Sequence, residues 1–190
     1  MQDFFMDKFK CIYRIPSARL ASWDYSSPGL YFITICTRGR INSLGEIKEN
    51  EMYLSLAGKI ANEKWTEIPN HFSHVLLGEF VIMPNHLHGI INIEKRIVET
   101  GHALSLQPKE GNINPDYHYR FRNQGKGTVS AIVGSFKSAV TKQVHPFQQN
   151  FEWQTRFHDH IIRNHDEYIK ISQYILNNPA NWTADKFNKS

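Results

Sequence analysis

The order of elements along the chain predicts an α+β fold. Apolar periodicity gives a strand, a helix, two strands joined by a tight turn, a second helix, a fourth strand and a last helix. That order is a split β-α-β pattern of the ferredoxin-like type: an antiparallel sheet with helices on one face, to which a C-terminal helix is added. A length of 190 residues fits one domain large enough to bury a core. Residues 1–190 are therefore read as a single domain, with 1–29 as an N-terminal arm and 95–127 as a long loop or insertion.

The arm is irregular. Arg14-Ile15-Pro16-Ser17-Ala18-Arg19-Leu20 mixes basic and apolar residues, and Trp23 to Gly29 adds aromatics and a Pro-Gly turn signal. Cations interleaved with rings suit a nucleic-acid strand; the same pattern also suits an arm packed on its own domain. The strongest strand follows at 30–37, β-branched and aromatic throughout, with Arg38 and Arg40 after it. Residues 41–53 read as a hairpin-like excursion of weak strands. Ser55 caps a helix whose apolar positions are Leu56, Ile60, Ala61 and Trp65, and Ile68-Pro69-Asn70 stops it.

The central stretch is Phe80-Val81-Ile82-Met83-Pro84-Asn85-His86-Leu87-His88-Gly89-Ile90-Ile91. It reads as two buried strands separated by a Pro-Asn turn. Side chains alternate across a strand, so His86 and His88 share one face and Leu87 points to the other. Two imidazoles so placed can hold one metal ion, or can be hydrogen-bonded histidines at a polar sheet edge. Residues 94–127 have little periodicity and many Gly and Pro, so they read as a tolerated insertion or a cover for a strand of nucleic acid.

The second helix spans 128–144, with Val129, Ile132, Val133, Phe136 and Val140 as its apolar stripe and Lys137 and Lys142 off it. Residues 151–162 read as a further strand. Asn164 caps the last helix, whose first turn carries Asp166 and Glu167 at the positive end of the helix dipole. It ends at Asn178-Pro179. Tyr174 and Asn178, four residues apart, share one face of it beside Ile171 and Ile175, looking toward the sheet. Such a tyrosine can be a nucleophile and such an amide a third metal ligand; they can equally be a core-edge tyrosine and a helix-terminal asparagine.

Composition narrows the classes. Hydrophobic residues make up 41% and charged residues 21% of the chain, which excludes an intrinsically disordered protein. No apolar run reaches the roughly 18 residues of a membrane span, and the N-terminus lacks a signal-peptide core, so the expectation is a cytoplasmic protein with no membrane partner. A net charge of +4 leans toward a polyanionic partner. Two cysteines, Cys11 and Cys36, are too few for a Cys-rich zinc site or a disulfide scaffold and read as structural. No Gly-rich phosphate loop of the Walker type is present.

Taken in order, these segments resemble the single-tyrosine HUH transposases, and among them the REP-associated tyrosine transposases. The similarity runs from about Arg14 to Trp182. It rests on His86-Leu87-His88 in its Val-Ile-Met-Pro-Asn setting, on Trp153-Gln154 with His160-Ile161-Ile162-Arg163-Asn164, on Tyr174-Ile175-Leu176-Asn177-Asn178-Pro179, and on Tyr25, Pro28-Gly29 and Tyr31-Phe32-Ile33-Thr34. His158 departs from the family, whose members usually carry an aromatic there.

The resemblance implies a transposase, or an enzyme that nicks and rejoins single-stranded DNA through a covalent 5′-phosphotyrosine. It makes Tyr174 the nucleophile and His86, His88 and Asn178 ligands of one divalent metal, Mg or Mn. It implies single-stranded or hairpin DNA as partner, and a monomer or homodimer. Arg14, Lys137, Lys142, Arg156 and Arg163 are read as a group of DNA-backbone contacts, each phosphate neutralised adding about −0.7 to the salt slope. The alternatives are a catalytically silent protein that binds repeat hairpins, and a metal-dependent phosphoesterase. A metallo-β-lactamase-type site wants an acid two residues past the second histidine, where Ile90 stands.

Overall fold

The computed structural model describes residues 25–94 and 127–188, with the backbone of 8–9 and 12–13. Cys11, Arg14, most of the arm and residues 95–126 of the insertion lie outside the described residues. Two short strands, β1 (Lys8–Phe9) and β2 (Ile12–Tyr13), pair antiparallel. The domain itself comprises β3 (Gly29–Cys36), the hairpin β4 (Gly45–Lys48) and β5 (Glu51–Leu54), α1 (Leu56–Thr66), α2 (Ile68–His71), β6 (Val75–Met83), β7 (His86–Ile93), α3 (Val129–Val144), β8 (His158–Ile162) and α4 (His165–Asn177).

The four-stranded sheet has the order β6-β7-β3-β8. Both β3 and β6 are antiparallel to β7 and therefore parallel to each other, with β7 inserted between them. This is the split β-α-β sheet that the element order predicts. Alternation along the strands sorts the residues onto two faces. Tyr31, Ile33, Ile35, Leu87 and Ile91 join the core that holds Trp65 of α1 and Phe136 of α3. Leu30, Phe32, Ile90 and Ile162 point the other way and pack against Ile171 and Ile175 of α4. The C-terminal helix thus lies across the face opposite α1 and α3. Among the described residues, no helix is long and apolar enough to cross a membrane.

The Ser55 and Asn164 caps are as read, and Thr128 adds a third. The Ser55, Thr128 and Asn164 side chains each accept a backbone N–H from the first turn of α1, α3 and α4. Three details differ. Leu56 is 57% exposed; α1 buries Ala61 and Trp65 as read, with Ala57 and Gly58 in place of Leu56. The reason is close approach: a Cβ on Gly58 would lie 2.0 Å from the Leu44 carbonyl oxygen, so the helix turns its smallest residues inward. Pro69 does not simply end a helix but sits in the first turn of the short α2, where its missing N–H costs nothing. And of 151–162 only β8 is a strand. Residues 152–154 run beside the end of β3 through one bridge, Thr37 to Trp153, and through Arg38 N–H to Glu152 O and Gln154 N–H to Cys36 O.

Gly89, which follows the histidine pair, faces α1. A Cβ there would lie 2.4 Å from Cζ2 of Trp65, a fully buried ring wedged edge-on against Phe136 at 5.3 Å. The indole has nowhere to move. Gly89→Ala is therefore expected to destabilise the domain by about 3 kcal/mol, the upper part of the usual overpacking range, read as a lowered urea midpoint at unchanged m-value.

Candidate active site

The turn Pro84-Asn85 presents β7 to α4, and neighbouring segments pin it. Thr37 N–H donates to Asn85 O at 2.9 Å and Leu44 N–H to Pro84 O at 2.9 Å. Asn85 is fully buried. Its Nδ2 donates to the carbonyls of Arg40 (3.2 Å) and Phe187 (2.9 Å). These two bonds orient the amide, so Oδ1 faces His86 Nδ1 at 2.9 Å and must accept its proton. His86 then carries its lone pair on Nε2, and that buried atom has no hydrogen-bond partner.

His88 sits two residues on, its ring 4.5 Å from that of His86 and stacked on Phe32 at 5.2 Å. Its Nδ1 meets the Thr34 hydroxyl at 2.8 Å, and its Nε2 lies 3.2 Å from the Tyr174 hydroxyl. Tyr174 comes from the last turn of α4, 43% exposed, with its ring edge-on to Phe32. Asn178 caps the same helix one turn later; it is buried, and its Oδ1 is the second orphaned polar atom of the site. After α4 the chain turns back through a 3₁₀ turn at Trp182–Ala184, which lays Trp182 and Phe187 against the His86 ring at 6.0 and 4.6 Å. That return also delivers Asp185. Ligand atoms of His86, His88 and Asp185 all lie within 4.8 Å of one another.

The electrostatics keep both imidazoles neutral. Burial pushes His86 down to about 3, helped by the nearby charges of Arg40 and Lys186. Burial first, then His86, Lys186 and His158, holds His88 well below its ordinary value. Tyr174 is pushed up by burial and by Asp185, while a hydrogen bond with Asn178 pulls it down.

These shifts link stability to pH. An unfolded imidazole titrates near 6.5 and the folded His86 near 3, so the unfolded chain takes the proton first as pH falls. Stability is complete above about pH 6.5 and is lost below it, with His86 alone removing about 2 kcal/mol between about pH 6.5 and 5. His88 acts in the same direction. Urea unfolding at about pH 7.5 and about pH 5 checks this, and His86→Asn is expected to shrink the difference between the two curves.

A divalent metal fits this site. His86 Nε2, a buried atom that wants a partner, belongs to the cluster with the Asp185 carboxylate, and Asn85 and Thr34 hold the far nitrogens of the imidazoles. Two neutral imidazoles with oxygen donors form a set that divalent first-row ions accept.

No family model matches the chain. An uncharacterized protein of Haemophilus influenzae is 37% identical over 171 residues, covering 90% of this chain and 91% of that protein. The chain belongs to the same family as this Haemophilus protein. Among solved structures, a REP-associated tyrosine transposase bound to a REP hairpin matches with a TM-score of 0.55 and 19% identity, over 84% of this chain and 71% of that one. The family therefore has the fold of a REP-associated tyrosine transposase.

Of the residues singled out in the sequence, Tyr174, His86 and His88 come together, and Asn178 lies one helical turn past Tyr174. Among the described basic residues, the α3 lysines and Arg163 stand on opposite sides of the sheet. Lys137 and Lys142 ride on α3, across the sheet from Tyr174. The Lys137 ammonium is half-buried and donates to the carbonyls of Gln154 (2.6 Å) and Thr155 (3.5 Å), so it ties the 152–155 segment to α3. Arg156 and Arg163 are exposed, Arg163 just before α4. Asp185, Asn85 and Arg40 were not singled out. Asp185 follows a stretch without periodicity, and the one cue to it is that no other carboxylate follows Glu167.

Proposed function

We propose that the chain is a DNA strand-cleaving and rejoining enzyme of the transposase type, acting on single-stranded or hairpin DNA with Tyr174 as nucleophile. The observation that carries this reading is the Tyr174 hydroxyl at 3.2 Å from His88 Nε2, beside a cluster in which the buried His86 Nε2 has no protein partner. The fold match to a transposase that is bound to a REP hairpin supports DNA as the substrate class.

In this reading the Tyr174 oxygen forms a bond to phosphorus as the bond to the 3′ oxygen breaks. The products are a 5′-phosphotyrosine and a free 3′-hydroxyl. The phenol proton leaves through the exposed side of the ring, and the departing 3′ oxygen takes up one in exchange. The new ester conserves the energy of the old one, so the 3′-hydroxyl of another strand can reverse the step without a nucleotide cofactor. Phe32 and His88 hold the ring, and the contact of the hydroxyl with His88 Nε2 fixes the attacking atom. His86, His88 and Asp185, with Asn178 as a further candidate ligand, would hold a divalent ion, Mg or Mn, and that ion would polarise the scissile phosphate and offset its developing charge.

The test is incubation with end-labelled single-stranded hairpins and manganese, followed by denaturing electrophoresis. A labelled band at the mass of protein plus DNA is expected. DNA binding without any covalent band across a broad hairpin panel would instead make this a binding module.

A further inference from the structure

Beyond the tyrosine site, the same sheet face carries a cleft of about 490 Å³. It lies at the other end of α4, four residues along β7 from His88, or about 13 Å. Leu30, Leu77 and Ile162 give it apolar walls, and Asn92, Tyr168 and Arg163 supply its polar groups. The volume is that of an ordinary small-ligand pocket.

The cleft is held open by particular residues. Gly78 stands beside a register shift between Leu77 and Phe80, and a Cβ on it would lie 3.0 Å from Ile90 Cβ and 3.7 Å from the Tyr168 hydroxyl. A strand glycine next to a bulge marks a close approach; here its missing side chain is the space between Ile90 and Tyr168. The Tyr168 ring is braced by His165, nearly parallel at 19° with centroids 6.4 Å apart. Neither the Asn92 carboxamide nor the Tyr168 hydroxyl has a hydrogen-bond partner among the described residues. A half-buried amide and a hydroxyl beside an apolar floor offer donors and acceptors to a flat polar edge and a surface to a flat ring. Arg163 at the mouth offers a cation to an adjoining phosphate.

From this combination we infer that the cleft is a nucleobase subsite, which receives one unstacked base of the DNA strand whose backbone runs on toward Tyr174. The inference rests on the DNA reading above. It assigns Asn92 and Tyr168 to the base edge, the apolar floor to the ring and Arg163 to the phosphate, which is how single-stranded bases are usually taken up.

The probes are the four deoxynucleoside 5′-monophosphates, titrated at millimolar concentration into ¹⁵N-labelled full chain with chelator present, with 2-deoxyribose 5-phosphate as the base-free control. At least one nucleotide is expected to shift the amides of Gly78, Asn92 and Tyr168, with the control leaving them in place. Asn92→Ala is expected to weaken that binding about fivefold to tenfold, the worth of one or two hydrogen bonds, with an unchanged melting curve. Gly78→Val, which fills the cleft, is expected to abolish it; if that variant does not fold, Asn92→Ala decides. No shift with any of the four, equal shifts with deoxyribose phosphate, or unaltered binding in Asn92→Ala each overturns the inference. No cleavage is involved, so failure here leaves the covalent-band test standing, and failure of that test leaves this one standing.

Discussion

Tyr174→Phe is expected to lower the yield of covalent protein–DNA product by about a thousandfold or more, because the phenol oxygen it removes is the atom that forms the ester in this reading. The fold should survive it. The ring is 43% exposed, and its edge-on contact with Phe32 is retained by phenylalanine. What is lost from the protein is the hydroxyl's bond to His88, about 1 kcal/mol. DNA binding, measured by anisotropy with the same hairpins, should change by less than about threefold, since one hydroxyl among many contacts is removed. Parallel loss of binding and product would mean that Tyr174 positions DNA rather than attacking it.

The second large effect is expected at the histidines. His88→Ala removes a donor of the cluster and the Tyr174 contact together, and His86→Ala removes the nitrogen that has no protein partner. Each should weaken manganese binding, measured by calorimetry, by about a hundredfold or more; loss of supporting groups alone commonly costs tenfold to a hundredfold. The two should differ in product yield, with His88→Ala the lower because it also frees the tyrosine ring. Asp185→Asn should weaken the metal more than Asn178→Ala, since a charged oxygen is replaced in the first and a neutral one in the second. The reverse ranking would return the third ligand to Asn178, the residue the resemblance names.

The sheet and its order were legible because strand alternation is a strong signal. Leu87 between two histidines has to face the α1 side, and it does. The tyrosine helix was legible for the same reason: Tyr174 and Asn178 follow the stripe of Ile171 and Ile175. Tertiary features were not. Nothing local says that Asn85 uses its amide to set the His86 tautomer, because its partners, Arg40 and Phe187, are 45 and 102 residues away. Asp185 reaches the cluster only because the chain reverses after α4 and Trp182 and Phe187 seat on His86. Lys137 shows the opposite failure. A lysine off the apolar stripe reads as a surface cation, yet two carbonyls from an irregular segment take up its ammonium.

The most direct test of the central claim is the identity of the atom that carries the DNA. Covalent product isolated from manganese reactions, digested with nuclease and trypsin and sequenced by mass spectrometry, should give one modified peptide, with a 5′-linked nucleotide on Tyr174. A nucleotide on any other residue, or none in any peptide while the strand is cut, would contradict the account.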